Sequence, residues 1–414
     1  MQAGFPVIAI TAAITLGLVN PTSAEEPTVF TFHAHDLALV KERIAAADET
    51  TVAALQTLLR KAERRLTEGP YSVVTNGRTP PSGDKHDYMS QAPYWWPDPK
   101  EGDGKPYIRR DGKPNPDAEG GDDEVLGKMC EGVWQLSLAW HLTGDRRFAD
   151  HAAKLLRAWY FDPATRMKPR LAFGQYVPGL NKGRGSGLVE TRVMLKVLDA
   201  AGLLAGSEAW TAADQRELKA WFRDFLDWMR DSSRGDDERA ADNNHGTWYD
   251  AQAAAYSMFI GDEVRALHIL ERARERRFIE GIDPQGRLFH ELDRTKSLDY
   301  SLFNLEALMQ LALLGERSGL HLWKAHFDDG RGLLRAVEWL APYAAGTKPW
   351  PYEQIAPVKP ERIAVLYRRA AEVYGREAYE RISIARRDPE DDDVTIALGL
   401  VYPRRGTGVP SSRQ

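Results

Sequence analysis

The sequence predicts an all-α protein, folded as an α/α barrel (toroid) of antiparallel helix pairs with long loops over one open end. Apolar residues recur at three- and four-residue spacing through most of the 414 residues, which is the period of an amphipathic helix. Glycine followed by an acidic or hydroxyl residue separates several of these segments, as at helix ends. The chain shows no strand–helix alternation of the kind that indicates a parallel sheet.

The helical period is found in eleven segments of the chain. They are residues 36–46, 50–66, 124–142, 147–160, 188–204, 212–230, 247–260, 263–279, 299–318, 331–343 and 360–384. Short turns between them predict antiparallel neighbours, with glycine after the last helical turn and a capping residue next. These turns include Gly144-Asp145, Gly206-Ser207 and Gly261-Asp262. No repeat of fixed period appears, which favours a closed or partly closed barrel over an α-solenoid.

Two long irregular stretches interrupt the helices, at about 70–122 and 162–187. Loops of this length in a compact domain usually carry function or are disordered. The first contains the segment Tyr88-Met89-Ser90-Gln91-Ala92-Pro93-Tyr94-Trp95-Trp96-Pro97, and its aromatic content argues against disorder. We expect this aromatic loop to lie across one mouth of the barrel.

The N-terminus predicts an export signal. Residues 7–19 form an apolar run that is too short to span a bilayer, and Thr22-Ser23-Ala24 suits cleavage after Ala24. No Lys or Arg precedes the run, and a buried helix is the alternative interpretation. We therefore expect a signal peptide at 1–24, one catalytic domain at 25–402, a flexible tail at 403–414, and a periplasmic or secreted protein without membrane contact after cleavage.

Composition narrows the class of ligand. The 55 basic and 60 acidic residues are mixed along the chain, and no basic stripe indicates nucleic-acid binding. The chain has 12 Trp and 15 Tyr, side chains that can stack on sugar rings, although most large aromatic residues form core. Cys130 is the only cysteine, so it cannot form an internal disulfide, and one thiol cannot build a zinc site.

The segment Asp242-Asn243-Asn244-His245-Gly246 stands at the start of a predicted helix. A helix N-terminus favours anions, asparagine supplies amide donors, and histidine exchanges protons near neutral pH. These groups suit a carboxylate whose neighbouring carbon loses a proton. The alternative interpretation is a pair of helix caps and a structural histidine.

A second polar segment runs from His290 through Glu291 and Arg294 to Tyr300. Arg294 can bind a carboxylate with two hydrogen bonds. The Tyr300 phenol can act as base or acid if nearby cations lower its pKa. The alternative is a solvated helix start with one half-buried tyrosine.

Two loops add candidate binding residues. Gly183-Arg184-Gly185 is a glycine-rich turn that would let backbone approach a ligand, although a plain loop explains it equally well. The segment 348–354, which contains Trp350 and Tyr352 between prolines, would either line a sugar subsite or close the end of the barrel.

Together, these segments resemble the alginate lyase domain superfamily, most closely polysaccharide lyase family 38 and more distantly family 5. The resemblance covers about residues 80–355. It rests on the ordered set of aromatic loop, Gly183-Arg184-Gly185 turn, Asn243-Asn244-His245 motif with Trp248, and Arg294 with Tyr300. It implies β-elimination in a uronate polymer, an anionic polysaccharide, with no cofactor and no metal.

By this resemblance, Asn244, His245, Arg294 and Tyr300 are the catalytic residues. Asn244 and Arg294 would neutralise the uronate carboxylate. Tyr300 alone would serve as base and acid if the C5 hydrogen and the C4 oxygen lie on the same side of the ring, whereas His245 would be the base if they lie on opposite sides. The expected substrate-binding residues are Tyr88, Gln91, Tyr94, Trp95, Trp96, Arg184, Asn243, Trp248, His290, Glu291 and Tyr352.

Two other functions fit the same residues. A glycoside hydrolase on a similar barrel would need two carboxylic acids across the scissile bond, and Glu190, Asp250, Glu291 and Asp293 are available. A polysaccharide-binding protein without activity would retain the groove alone. The sequence leaves open the polymer, the endo or exo mode and the oligomeric state.

Overall fold

The structure, a computed structural model, describes residues 26–325 and 327–405. Its helices are α1 His35–Ala45, α2 Glu49–Arg65, α3 Asp122–Thr143, α4 Arg146–Tyr160, α5 Leu195–Leu203, α6 Ala212–Asp231, α7 Ser233–Ala240, α8 Asn244–Ile260, α9 Glu263–Ala273, α10 Ser297–Arg317, α11 Leu333–Ala344, α12 Pro360–Tyr374, α13 Glu377–Ala385 and α14 Asp392–Ile396. Its strands are β1 Met89–Gln91, β2 Trp95–Trp96, β3 Ile108–Arg109 and β4 Phe173–Tyr176.

The helices close a ring. Along this ring α3 packs on α5, α5 on α8, α8 on α10, and α10 on α12. Helix α12 then contacts the π-helical turn Ala397–Val401, which packs on α2, and α2 returns to α3. Four helices lie outside this ring: α4 packs on α3, α6 and α9 both pack on α8, and α13 packs on α12. The predicted all-α fold is confirmed, with the closed helical ring of an α/α barrel.

Burial distinguishes the inner helices from the outer ones. Nearly every residue of α8 is buried, as expected for a helix enclosed on all sides. The outer helix α4 buries one face, including Phe148, Leu155 and Trp159. The inner helices therefore form the core, and their ends provide fixed positions at the mouth of the barrel.

Three local features differ from the predicted helices. The segment 360–384 is two helices, because Gly375 ends α12 in a left-handed conformation at φ 62°, which glycine adopts without steric cost. Residues Gly185–Met194 form a 3₁₀ helix ahead of α5. Helix α7 was not predicted because it lacks apolar periodicity, and the Ser232 side chain caps it by accepting from the Gly235 N–H at 3.1 Å.

The two irregular stretches meet at one end of the ring. Strand β1 pairs in parallel with β4, while β2 and β3 form an antiparallel pair. Asp122, the first residue of α3, holds β1 by accepting from the Met89 N–H at 2.8 Å. The loop after β2 is tied back by Asn115, whose Nδ2 donates to the Trp95 carbonyl at 2.8 Å. These contacts fix the aromatic loop over the starts of α8 and α10.

The predicted export signal and residues 406–414 of the predicted tail lie outside the described residues, so export, tail and domain limits stay predictions. Within the described residues, no helix combines the length and apolar character needed to cross a membrane. Cys130 is fully buried in α3.

Candidate active site

A cleft of about 630 Å³ opens where α8 and α10 begin. Its walls come from the aromatic loop, the 3₁₀ helix, α7 and the N-terminal turns of α8 and α10. The structure thus brings together segments that are distant in sequence. Eight of the candidate residues line the cleft: Tyr94, Trp95, Arg184, Asn243, Asn244, His245, Arg294 and Tyr300.

His245 is held by a buried carboxylate. Asn243 caps α8 by accepting from the His245 N–H at 3.2 Å, which places the imidazole in the first turn. The His245 Nδ1 lies 2.7 Å from Oε1 of Glu238, whose side chain is 3% exposed. In a neutral imidazole, a carboxylate at this distance favours the tautomer with the proton on Nδ1, which leaves the lone pair on Nε2. His245 is therefore arranged to receive a proton.

Asn244 is fixed by Glu291, which is fully buried. The Asn244 backbone N–H donates to Glu291 Oε1 at 2.6 Å, and Nδ2 donates to Oε2 at 2.9 Å. The Asn244 Oδ1 is buried and has no hydrogen-bond partner among the described residues. Asn244 is itself 0% exposed, but unlike Glu291 it lines the cleft, so its second Nδ2 hydrogen and its Oδ1 lie in the cleft wall. Glu291, expected to bind substrate, positions Asn244 instead and does not line the cleft.

Arg294 is already engaged in an ion pair. Its Nε and Nη2 donate to Asp111 at 3.1 and 2.8 Å, and Asp111 also accepts from the Thr295 N–H and hydroxyl. Burial acts to raise the pKa of Asp111, but the hydrogen bonds and charge of Arg294 outweigh it and hold this pKa below its usual value. Asp111 thus occupies the Nε and Nη2 donors of Arg294, which lines the cleft with its remaining N–H groups outside this pair.

Tyr300 lies directly under the Arg294 guanidinium, whose central carbon is 3.7 Å from the ring centroid. The Tyr300 hydroxyl donates to the Tyr94 hydroxyl at 3.1 Å. Burial raises the pKa of Tyr300, Tyr94 raises it further, and the Arg294 charge opposes them without reversing the shift. Nearby cations therefore do not lower the pKa of Tyr300 in the ligand-free protein, so the condition stated for its role as base or acid is not met there.

Two residues expected to bind substrate lie beneath the cleft. Tyr88 is fully buried and donates to Glu190 at 2.8 Å. Gln91 is 7% exposed and accepts from the Tyr176 hydroxyl at 3.0 Å. Both support the floor and β4 instead of facing a ligand.

The predicted tryptophans of the site differ in which way they point and in how deeply they are buried. Trp95 lines the cleft under the Arg184 guanidinium, at 5.9 Å from the ring, whereas Trp96 is turned away and donates to the Lys113 carbonyl at 2.9 Å. Trp248 is 4% exposed and packs on Phe303 at 5.4 Å, so it is core. Alternation along a strand explains why neighbouring Trp95 and Trp96 point in opposite directions.

The remaining two candidates lie away from the cleft. His290 is exposed and packs beside Phe289 at 4.1 Å. Tyr352 packs on Trp350 at 5.3 Å and is absent from the cleft lining. The loop 348–354 supports the start of α10, because the Trp350 Nε1 donates to the Ser297 hydroxyl at 2.8 Å.

The structure adds residues that the sequence did not single out. Those with polar or charged side chains that line the cleft include Arg109, Gln175, Arg192, Glu238 and Arg362. Gln175 has an unusual positive φ of 46°, a strained conformation that is common at functional sites. The proximity of Glu238 to His245 could be predicted only if helix α7 were already known. For the other residues, no local sequence signal indicates that they line the cleft.

The four carboxylates that favoured a hydrolase do not assemble. Asp250 is buried in an ion pair with Arg277 at 2.8 Å, Glu291 holds Asn244, and Asp293 is exposed. Glu190 alone among them lines the cleft. Burial raises the pKa of Glu190 to about 7. These residues therefore provide no pair of acids across a scissile bond.

Comparison with known proteins identifies the family. The family model described as alginate lyase matches residues 72–350. The crystal structure of an alginate lyase from Bacteroides ovatus shares 36% sequence identity and superposes with a TM-score of 0.86, over 92% of this chain and 100% of that chain.

More distant structures share the fold alone. Alginate lyase A1-III from Sphingomonas species A1 is 18% identical, with a TM-score of 0.50 over 79% of this chain and 87% of that chain. A variant of A1-III complexed with tetrasaccharide is 17% identical, with a TM-score of 0.56 over 86% of this chain and 95% of that chain. Among curated protein sequences, none matches this chain.

The family model spans more than half of the chain, the Bacteroides structure matches nearly all of it, and both agree with the ordered motifs and the helical ring. The chain belongs to the alginate lyase family and is a polysaccharide lyase.

Proposed function

We propose that the enzyme cleaves 4-linked uronate polymers of the alginate type by β-elimination in this cleft. The convergence of Asn244, His245, Arg294 and Tyr300 on one cleft carries the proposal. These residues supply hydrogen-bond donors for a carboxylate, a histidine base and a protonated phenol. The relatives named alginate lyases support the choice of polymer.

The reaction needs the uronate carboxylate to be neutralised, because negative charge develops there as the C5 proton leaves. In the proposed complex, the free N–H groups of Arg294 and the second Nδ2 hydrogen of Asn244 meet the carboxylate. The unpaired Asn244 Oδ1 accepts from a sugar hydroxyl or from the carboxylic acid. Binding then satisfies an acceptor whose isolation costs about 1–3 kcal/mol.

Proton transfer divides between two side chains. In the proposed step for guluronate, His245 Nε2 takes the C5 proton, the C4–O4 bond breaks as the C4–C5 double bond forms, and the Tyr300 phenol protonates O4. The raised pKa of Tyr300 and the carboxylate on His245 Nδ1 suit these roles. For mannuronate, where both atoms lie on one face, Tyr300 would first pass its proton to His245 Nε2, then take the C5 proton as the C4–O4 bond breaks, and return that proton to O4.

The test is the absorbance of the unsaturated product. Poly-mannuronate, poly-guluronate and glucuronan are each incubated with enzyme, and a rise in ultraviolet absorbance marks elimination. New reducing ends without absorbance would indicate hydrolysis, and binding without product would indicate a non-catalytic protein. Either outcome would overturn the proposal.

Tyr300→Phe tests the assignment of the acid. We expect kcat to fall by about 10²–10⁴-fold, the usual contribution of a general acid, with oligosaccharide binding retained. Tyr374→Phe is the matched control, since Tyr374 is half-buried at the end of α12, its hydroxyl donates to the Trp323 carbonyl at 2.8 Å outside the cleft, and the variant should keep wild-type kcat. Equal activity of Tyr300→Phe and wild type would refute the role of Tyr300.

A further inference from the structure

The cleft arginines differ in whether they have carboxylate partners. Five arginines line the cleft: Arg109, Arg184, Arg192, Arg294 and Arg362. Arg109 and Arg294 pair with Asp111, and Arg362 pairs with Asp299 at 2.7 Å. Within residues 26–325 and 327–405, Arg184 and Arg192 have no carboxylate oxygen within 4.0 Å. The charge of these two arginines is therefore available to an anionic ligand.

Arg192, like Arg184, makes one hydrogen bond through its guanidinium. Its Nη1 donates to the Val189 carbonyl at 3.0 Å, which uses one of five guanidinium N–H groups. The Arg192 side chain is only partly exposed, and burial lowers its pKa. Glu306, the largest opposing charge on Arg192, lies 3.7 Å from the Arg362 guanidinium instead. An ionised group in this position is costly unless a counter-charge arrives.

The Arg192 guanidinium lies next to Phe303, a neighbour of Tyr300 on α10. The Arg192 guanidinium lies 5.0 Å from the Phe303 ring centroid, and that of Arg362 lies 5.3 Å from it. Phe303 follows Tyr300 by three residues on α10, so the two side chains share one face of the helix. Trp248 packs on Phe303 from the core at 5.4 Å and fixes the ring. A rigid aromatic surface with an unpaired cation therefore adjoins Tyr300.

We infer that Arg192 and Phe303 form a subsite for a second uronate, next to the sugar attacked at Tyr300. Arg192 binds the carboxylate of that sugar, and Phe303 packs against the apolar face of its ring. The inference rests on the proposed function. It makes charge on the neighbouring sugar a requirement for tight binding, so Arg192 determines specificity and takes no part in proton transfer.

The experiment measures binding in an inactive background, by titration calorimetry on Tyr300→Phe with a mannuronate tetrasaccharide and its carboxyl-reduced, neutral counterpart. Adding Arg192→Met should weaken binding of the charged tetrasaccharide by about tenfold or more, as expected for loss of a charge-assisted pair. Binding of the neutral one should change less than about threefold. Arg192→Lys should restore most of the affinity, because it restores the charge.

Steady-state kinetics provide the second readout. In the active enzyme Arg192→Met should raise KM by a similar factor while kcat stays within about threefold. Arg223→Met is the control for overall charge, because Arg223 is exposed on α6 outside the cleft. If Arg192→Met does not fold, Arg192→Gln is used, since it keeps a donor for the Val189 carbonyl.

The outcomes separate this inference from the proposed function. Equal weakening of charged and neutral tetrasaccharide, or a fall in kcat at unchanged KM, would overturn the role of Arg192. Arg192-dependent binding without ultraviolet-absorbing product from wild type would retain the subsite and refute the lyase chemistry. If wild type forms the ultraviolet-absorbing product but Arg192→Met binds both tetrasaccharides as the parent does, the lyase chemistry is retained and the Arg192 subsite is refuted.

Discussion

Asp122→Asn should change how the stability of the protein depends on pH. Asp122 is 2% exposed and accepts from Asn76 Nδ2 at 2.5 Å and from the Met89 N–H at 2.8 Å. Burial raises its pKa from 3.8 to about 7, since these hydrogen bonds only partly offset desolvation and the neighbouring Asp123 adds to the shift. The folded protein therefore holds the Asp122 proton more tightly than the unfolded chain does.

The raised pKa of Asp122 determines the direction and the size of the change in unfolding free energy with pH. The stabilising effect of the bound proton is complete below about pH 4 and is lost as pH rises through about 7. The pKa shift is roughly three units, and each unit corresponds to about 1.4 kcal/mol of unfolding free energy. About two of these units lie between pH 5 and the folded-state pKa of about 7, and therefore within the interval from pH 5 to pH 8. Wild type should therefore lose about 3 kcal/mol more unfolding free energy than Asp122→Asn across this interval.

The assay is equilibrium urea unfolding followed by tryptophan fluorescence at pH 5, 6, 7 and 8. The difference between wild type and Asp122→Asn is the quantity to compare, because Glu190 and Asp199, with pKa values raised to about 7 and about 6, impose the same trend on both proteins. Asp224→Asn, exposed on α6, is the matched control. Parallel pH profiles for wild type and Asp122→Asn would refute the reasoning, whatever the constant offset between them.

Two further predictions concern the residues that hold the proposed catalytic side chains in place. Glu238→Gln should lower kcat by about 10²-fold or more without weakening oligosaccharide binding. The reason is that glutamine can donate to His245 Nδ1, which moves the imidazole proton to Nε2. A kcat within threefold of wild type would contradict this prediction. Trp350→Phe should lower the unfolding free energy by about 1 kcal/mol and lower kcat severalfold at constant KM. The substitution removes the 2.8 Å hydrogen bond to Ser297, which lies three residues before Tyr300. A loss of stability with unchanged kcat would show that the loop 348–354 has a structural role only.

Much of the fold could be predicted because helices are encoded locally. Apolar spacing and capping residues located most helices to within a few residues, since both act within one or two turns. The prediction failed where local signals are weak, as in α7, or where one glycine breaks a continuous apolar pattern, as at Gly375. The order of helices around the ring depends on contacts between distant segments, which periodicity does not record.

The candidate site was only partly visible in the sequence. Asn243, Asn244 and His245 are consecutive, and Arg294 and Tyr300 are close neighbours, so local motifs were enough to select them. Burial then separated residues of the same type, because Trp95 faces the cleft while Trp248 is in the core. A side chain's type shows what chemistry it can perform but not whether it meets a ligand.

By itself, the sequence determined the helical architecture and the family, and it selected the motifs to which we assign the catalytic residues. Only the tertiary structure decided which charges are paired: Asp111 meets Arg294 across 183 residues of chain, Glu238 holds His245, and Arg192 has no carboxylate partner in the part of the chain that the structure describes. The physical reason is that helix formation depends on neighbours in sequence, whereas the energy of a buried charge depends on whichever groups the fold brings within a few ångströms.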